Sequence, residues 1–222
     1  MIKYRIFKNT FTITFFLFSI ILFAQTCNCK EKPELKEIMS CKKTTFKNGA
    51  KIYWGYNCNS SWLTYENKKR KKKIFTLEKE LQEMAGRLGF ISWVETKNNF
   101  IIKNKTASGC CYPLEISLFN KNNGLKEKDL GILISDDREN RFIVTLLDFN
   151  TVQIYELKSD KSTKINLVKG SIQNTLKKSG DFYPDKYFSD LKFENRVFSM
   201  DYQYLDQNDA WIKRKLKVEL KP

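Results

Sequence analysis

The chain has 222 residues and a net charge of +15 at pH 7, from 40 basic and 25 acidic side chains. It contains no histidine, which excludes Ser-His-Asp and Cys-His nucleophilic sites and histidine-ligated zinc. It also lacks a glycine-rich phosphate loop and a dinucleotide-binding fingerprint, so the sequence predicts neither a cofactor nor a metal.

The N-terminus is typical of a secretory signal peptide spanning residues 1–24. Three basic residues, Lys3, Arg5 and Lys8, precede an apolar run from Phe11 to Ala24, which is short for a membrane span. We therefore expect an exported protein, in the periplasm, at the cell surface or secreted. Two alternatives remain open: an uncleaved N-terminal anchor, and a lipid anchor at Cys27.

The positive charge favours anionic partners such as lipid headgroups, surface polysaccharide or acidic proteins. The export segment argues against nucleic acid and leaves peripheral membrane association open. A second interpretation gives the charge no binding role, because an AT-rich genome encodes chains rich in Lys, Asn, Ile and Phe.

Six cysteines follow the apolar run, and an even number in an exported protein favours disulfides. They are Cys27, Cys29, Cys41, Cys58, Cys110 and Cys111. A disulfide between adjacent cysteines is strained, so we expect Cys110 and Cys111 to bond to two different partners. We expect Cys41 or Cys58 to be the partner of one of these two cysteines. The polar segment 25–45 is interpreted as a tether or N-terminal staple, and residues 46–222 as a single β-rich domain.

Residues 51–65 predict a hairpin with strands Lys51–Tyr56 and Trp62–Tyr65. Its five aromatic residues are either buried in the core or exposed to stack on sugars or a partner: Tyr53, Trp54, Tyr56, Trp62 and Tyr65. A basic run follows, interpreted as a solvated connection between strand and helix, with an anion-binding patch as the functional alternative. The run is Lys68, Lys69, Arg70, Lys71, Lys72 and Lys73.

Residues 76–88 predict one amphipathic helix. Their apolar residues recur at the spacing of a single helical stripe, with Thr76 as the N-cap and Gly89 as the stop. The stripe consists of Leu77, Leu81, Met84, Ala85 and Leu88.

From Phe90 onward the pattern predicts strands, separated by turn-forming residues. The candidates are Phe90–Glu95, Phe100–Lys103, Leu114–Phe119, Gly131–Ser135, Phe142–Leu147, Val152–Leu157 and Lys164–Val168. A short helix capped by Ser171 is expected over 171–178, ending at Gly180. The strand spacing predicts a mainly β fold: an antiparallel meander that is sandwich-like, barrel-like or propeller-like.

The C-terminal residues predict a hairpin whose turn lies at Asp206 to Ala210. Phe198, Met200, Tyr202 and Tyr204 alternate with polar residues, as do Ile212, Leu216, Val218 and Leu220 in the returning strand. Pairing of the two polar faces predicts that Asp201 lies opposite or near Lys215.

Catalysis by a pair of carboxylates is the one enzymatic mechanism for which the sequence offers candidate residues. Acidic residues cluster in three predicted turns: Asp136, Asp137 and Glu139; Asp181 and Asp185; Asp206 and Asp209. Aspartate is common in turns for backbone reasons, so we assign no catalytic residue. We expect a non-catalytic binding protein of the envelope or periplasm, whose partner is a protein or an anionic envelope component. The alternatives are a carboxylate-dependent glycan hydrolase and a disulfide-stabilised structural envelope protein.

Overall fold

A computed structural model describes residues 27–85, 87–106, 112–137, 139 and 141–220. The predicted signal peptide and both Cys110 and Cys111 lie outside the described residues. Among the described residues, none of the helices combines the length and apolar character needed to cross a membrane.

The described residues form three antiparallel sheets, in which neighbouring strands follow chain order. The first sheet contains β1 (Thr44–Thr45), β2 (Lys51–Tyr56), β3 (Ser60–Glu66) and β4 (Lys71–Glu78). The second contains β5 (Gly89–Glu95), β6 (Asn99–Lys105), β7 (Glu115–Asn120), β8 (Lys126–Asp137), β9 (Phe142–Leu147), β10 (Thr151–Glu156) and β11 (Ser162–Asn166). The third contains β12 (Phe188–Glu194), β13 (Val197–Leu205) and β14 (Trp211–Glu219).

The predicted mainly β antiparallel meander is confirmed. In the part of the chain that the structure describes, no sheet closes into a barrel. Sheets of four, seven and three strands also differ from the repeated four-stranded blades of a propeller.

Four short helical segments accompany the sheets in the described ranges. They are α1 (Leu35–Ile38), α2 (Ser171–Ser179) and the 3₁₀ helices η1 (Lys79–Met84) and η2 (Pro184–Tyr187). The helix predicted to begin at Ser171 is confirmed, and Gly180, at φ +67°, ends it. The predicted cap is wrong, because Gly170 occupies the N-cap and Ser171 is the first helical residue.

The amphipathic helix predicted over residues 76–88 is wrong. Strand β4 continues through Leu77 to Glu78 by pairing with β3, and only the six residues of η1 are helical. Leu81, a member of the predicted stripe, is 38% exposed. The backbone hydrogen bonds along β3 therefore outweigh the local helical periodicity of this segment.

The core lies in clusters on both faces of the second sheet. The first sheet packs against β5, β6 and β7 through residues that include Trp54, Tyr65, Phe90 and Phe100. The third sheet and α2 pack against β9 and β10. A separate cluster contains Ile101, Ile116, Leu118, Leu130, Ile143, Tyr155 and Leu157.

The second sheet is strongly curled. The turn between β5 and β6 meets the end of β10, since Lys97 N donates to Leu157 O at 3.1 Å and Asn98 N donates to Asp160 Oδ2 at 2.6 Å. Three strands separate these two hairpins in the sheet. The curl therefore encloses the separate cluster, in which Ile101 and Tyr155 are fully buried.

Two disulfides fasten the N-terminal segment to the first sheet. They join Cys27 to Cys41 and Cys29 to Cys58. The predicted pairing of Cys41 or Cys58 with Cys110 or Cys111 is therefore wrong. The reason is that the segment returns along β2, so the Cα atoms of Cys29 and Cys58 are 4.8 Å apart. Such bonds are typical of proteins in oxidising compartments.

The C-terminal hairpin has the predicted register. Asp201 lies directly opposite Lys215, so their side chains share the outer face of the sheet. The ion pair is diagonal, however, with Lys213 Nζ 2.9 Å from Asp201 Oδ2. This contact holds the pKa of the Asp201 carboxyl below its ordinary value.

Lys121 joins the first and second sheets at a buried point. Its ammonium group donates to Glu95 Oε1 and Thr96 O, both at 2.8 Å, and its side chain is 5% exposed. Its backbone carbonyl accepts from the hydroxyl of Tyr65 at 2.6 Å. Lys121→Met will lower the free energy of unfolding by about 2 kcal/mol, because the Thr96 carbonyl loses the ammonium donor and Glu95 loses its cation, keeping only the hydrogen bond from the Lys47 N–H.

The matched control for Lys121→Met is Lys126→Met. Lys126 pairs with Asp129 at 2.6 Å, but both side chains are about half exposed or more, so its loss should change stability by less than about 0.5 kcal/mol. Urea unfolding measures both variants. Equal losses would show that the buried ammonium contributes no more than a surface charge.

Candidate functional site

The outer face of the first sheet carries aromatic rings covered by lysines. Because side chains alternate along a strand, Tyr53 and Trp62 project away from the core that holds their neighbours Trp54 and Leu63. We call this surface the basic aromatic face; it consists of Lys43, Tyr53, Trp62, Glu66, Lys71 and Lys73.

Lysine side chains bury the two rings of this face. Lys43 Nζ and Lys71 Nζ lie 4.6 and 6.0 Å from the centre of the Tyr53 ring, and Lys73 Nζ lies 3.8 Å from the centre of the Trp62 ring. Cation–π attraction holds each amine above its ring while the aliphatic part of the lysine covers it. Tyr53 and Trp62 are therefore only 5% and 9% exposed.

A glycine permits the close packing of Trp62 on the sheet. Gly55 lies opposite Trp62 across the strand pair. A Cβ atom at position 55 would stand 2.8 Å from the indole Nε1 of Trp62. The ring therefore lies flat on the backbone, beneath Lys73.

All five aromatic residues of the predicted hairpin are buried, which confirms burial over an exposed stacking surface. Three of them, Trp54, Tyr56 and Tyr65, belong to the core. Tyr53 and Trp62 are buried on the other face of the sheet, under the lysines. The alternation of residues along the two strands is the signal in the sequence that separates these two groups.

Glu66 is the single carboxylate of the face. It accepts a 2.5 Å hydrogen bond from the Tyr53 hydroxyl, and Lys43 Nζ lies 3.3 Å away. The Tyr53 hydrogen bond, followed by the charges of Lys43 and Lys71, holds the pKa of Glu66 below its ordinary value. Burial and the same hydrogen bond raise the pKa of Tyr53. At neutral pH the face therefore presents three cations and one carboxylate.

The basic run occupies a turn and an edge strand. Asn67 Oδ1 accepts from the backbone N–H groups of Lys69 and Arg70 at 2.9 and 2.8 Å, and β4 begins at Lys71. The interpretation of the run as a connection between strand and helix is wrong, because the chain turns back at once and pairs with β3. All six side chains, Lys68 to Lys73, are exposed.

The basic run has uncompensated charge. Within the described residues, none of its six side chains forms an ion pair, although Lys71 lies close enough to Glu66 to lower the pKa of that carboxyl. Strand β4 brings Lys71 and Lys73 to the basic aromatic face, opposite Glu66 and Thr64 respectively. The turn brings Lys69 and Arg70 to the end of the same sheet.

The acidic clusters of the three predicted turns are largely engaged with neighbouring groups. Asp136 pairs with Lys103, and Asp209 pairs with Lys178 at 2.5 Å. Asp206 caps its own turn by accepting from the N–H of Asn208 at 2.8 Å. The remaining members are Asp137 at the end of β8, exposed Glu139, Asp181 paired with Lys186, and Asp185 in η2.

No group of three or more Cys, Asp or Glu side chains in the described ranges could hold a metal ion.

Among the acidic residues of the predicted turns, Asp181 is held in its charged form: the hydrogen bond from Lys186 keeps the pKa of its carboxyl below the ordinary value.

A second candidate site lies on the outer face of the third sheet. It is a groove of about 390 Å³, which we call the C-terminal groove, lined by Lys192, Glu194, Asn195, Val197, Ser199, Lys215 and Lys217. Pairing of the polar faces predicts an outward position for Lys215, whereas β12, which supplies Lys192 and Glu194, was not predicted from the sequence. The alternation of β12 is broken at Asp190, where the strand bulges.

Comparisons of the chain with protein-family models, curated proteins and solved structures found no match.

Proposed function

We propose that the protein is a non-catalytic binding protein of the cell envelope or periplasm, which holds an anionic envelope component against its basic aromatic face. The observation that carries this proposal is the position of Lys71 and Lys73. Both are exposed residues of an ordered strand, both lie above a buried aromatic ring, and neither forms an ion pair among the described residues.

The rings beneath the lysines support binding rather than simple solvation. A free lysine side chain loses considerable rotamer entropy when it is fixed on a partner. Lys43 and Lys73 are already held above Tyr53 and Trp62, so part of that cost is met before the partner arrives. An array of ordered cations suits a polyanion, which presents several charges together.

The disulfides support the proposed location. Cytosolic thiols are normally kept reduced, whereas two disulfides in one chain are typical of exported proteins. The sulfur atom of Cys27 is bonded to Cys41, and a lipid thioether at Cys27 would need that same atom. The disulfide therefore favours a chain without a lipid at Cys27 over the lipid-anchored alternative.

The test is retention of the oxidised protein on heparin-agarose and cosedimentation with vesicles of phosphatidylglycerol and phosphatidylcholine. We expect binding to at least one of these, weakened by salt. The double variant Lys71→Gln/Lys73→Gln should reduce affinity about 30-fold, at about 1 kcal/mol for each lysine near an anionic surface. The probe that is retained identifies the partner as a polysaccharide or a lipid.

The matched control is Lys158→Gln/Lys164→Gln, which removes two exposed charges, one from the turn between β10 and β11 and one from β11. It should leave affinity within about twofold of the parent, since these lysines lie outside the basic aromatic face. Circular dichroism melting of both double variants checks that they remain folded. Equal losses of affinity in the two variants, or no retention of the parent on either probe, would contradict the proposal.

A further inference from the structure

The C-terminal groove gathers three lysines around one hydroxyl group. Lys192, Ser199 and Lys217 form a single row across β12, β13 and β14, with Ser199 in the middle. Lys215 lies two residues from Lys217 on the same face of β14 and also lines the groove. This arrangement occurs on a different sheet from the basic aromatic face and shares no residue with it.

A bulge in β12 brings Lys192 into this row. The register shifts between Ser189 and Lys192, and Asp190 has a positive φ of 52°. The extra residue lets Leu191 join the core side of the sheet while Lys192 stays exposed. Without the bulge, strict alternation from Ser189 would turn Leu191 outward and Lys192 inward.

The lysines of the groove lack ion-pair partners within the described residues. The nearby carboxylates of Asp190 and Asp201 both engage Lys213 instead, at 3.7 and 2.9 Å. Like charges gathered on one face of a sheet destabilise it, and a bound anion would remove that repulsion. Glu194 is the one carboxylate in the lining, so the cations outnumber the acids.

The lining also indicates the chemical class of the ligand. The hydroxyl of Ser199 and the amide of Asn195 add neutral donors to the three ammonium groups, and a phosphate offers several strong acceptor oxygens to such a set. The volume of about 390 Å³ exceeds that of one ion and falls within the range of small-molecule sites. Glu194 and Asn195 can accept hydrogen bonds from hydroxyl groups next to the phosphate.

We propose that the C-terminal groove binds a phosphate group, carried by a phosphorylated polyol or present as the free ion. Lys192, Lys215 and Lys217 neutralise the phosphate, and Ser199 donates a hydrogen bond to it. The groove gives the protein a small-anion site in addition to its proposed polyanion surface.

The test is titration of the ¹⁵N-labelled oxidised protein with inorganic phosphate and with glycerol 3-phosphate, at constant ionic strength. We expect saturable shifts of the amide signals of Ser199 and Lys217. Tighter binding of glycerol 3-phosphate indicates a phosphorylated polyol, and equal binding indicates the free ion. Lys217→Gln should raise the dissociation constant about sixfold, the loss of one charge contact at the surface.

Two further variants separate a defined site from general charge. Ser199→Ala keeps every charge and should still raise the dissociation constant about fivefold through the lost hydrogen bond. Lys164→Gln removes an exposed charge from the second sheet and should leave the dissociation constant for phosphate unchanged. Shifts that do not saturate, or equal effects of Lys217→Gln and Lys164→Gln, would overturn the proposal. Lys71→Gln/Lys73→Gln should leave phosphate binding intact, so the two proposed sites can fail independently.

Discussion

Replacing Cys29 and Cys58 together by serine will lower the free energy of unfolding by about 3–5 kcal/mol. The bond closes a loop with a sequence separation of 29 residues, for which the loss of chain entropy in the unfolded state amounts to about 3.5 kcal/mol. Cys29 is also 4% exposed and belongs to the core of the first sheet, so the variant adds a packing loss. Replacement of both residues leaves neither thiol of this pair free to exchange with other disulfides.

The matched variant Cys27→Ser/Cys41→Ser should have the smaller effect, about 2–3 kcal/mol. Its sequence separation is only 14 residues, and both of its cysteines are partly buried rather than buried. Guanidinium unfolding of the oxidised proteins measures the two losses side by side. The reverse order would mean that the outer bond, rather than the buried one, secures the N-terminal segment.

Strands were predicted well wherever a strand is regular. The predicted ranges Lys51–Tyr56 and Phe142–Leu147 coincide with β2 and β9. In the C-terminal hairpin, period-two alternation also predicted the buried set Phe198, Met200, Tyr202 and Tyr204. In these elements one residue faces the core and the next faces away, so local sequence contains the information that decides the structure.

Predictions failed where distant contacts decide the local structure. The helical pattern of residues 76–88 competes with the backbone of β3, which is close in space only after the chain has turned at Asn67 to Arg70. The cysteine pairs depend on a similar return of the chain, since the segment 27–45 runs back along β2. Neither contact has a local signal in the sequence.

In the two candidate sites as well, the local sequence predicts some features, while distant contacts determine the others. The charge of the basic run was evident from composition, but its placement over Tyr53 required the register of β3 and β4. The C-terminal groove was not predicted because one of its three strands, β12, contains a bulge that hides the alternation of its side chains. Bulges commonly re-aim side chains at the positions where proteins use them, and here the bulge directs Lys192 to the groove.

Gly131 permits a close approach between two strands of the second sheet, next to a bulge. The register of β7 and β8 shifts between Ile116 and Ser117, where Gly131 has a φ of +97°. A Cβ atom at this position would lie 2.2 Å from the carbonyl oxygen of Leu146 on β9. Gly131→Ala will therefore lower the free energy of unfolding by about 3–4 kcal/mol, from backbone strain and from the clash.

Gly49→Ala is the control that separates these two causes. Gly49 has a similar positive φ of +82°, but a Cβ atom there would meet nothing within 4 Å, so only the backbone strain of about 1 kcal/mol applies. Urea unfolding measures the free energy of unfolding of both variants. The difference between their losses is the cost of the clash between the new Cβ atom and β9. Because Leu146 belongs to β9, which pairs with both β8 and β10, Gly131→Ala should also increase hydrogen exchange in β9 and β10. A stability loss in Gly131→Ala no larger than that of Gly49→Ala would show that the sheet tolerates a side chain at this position.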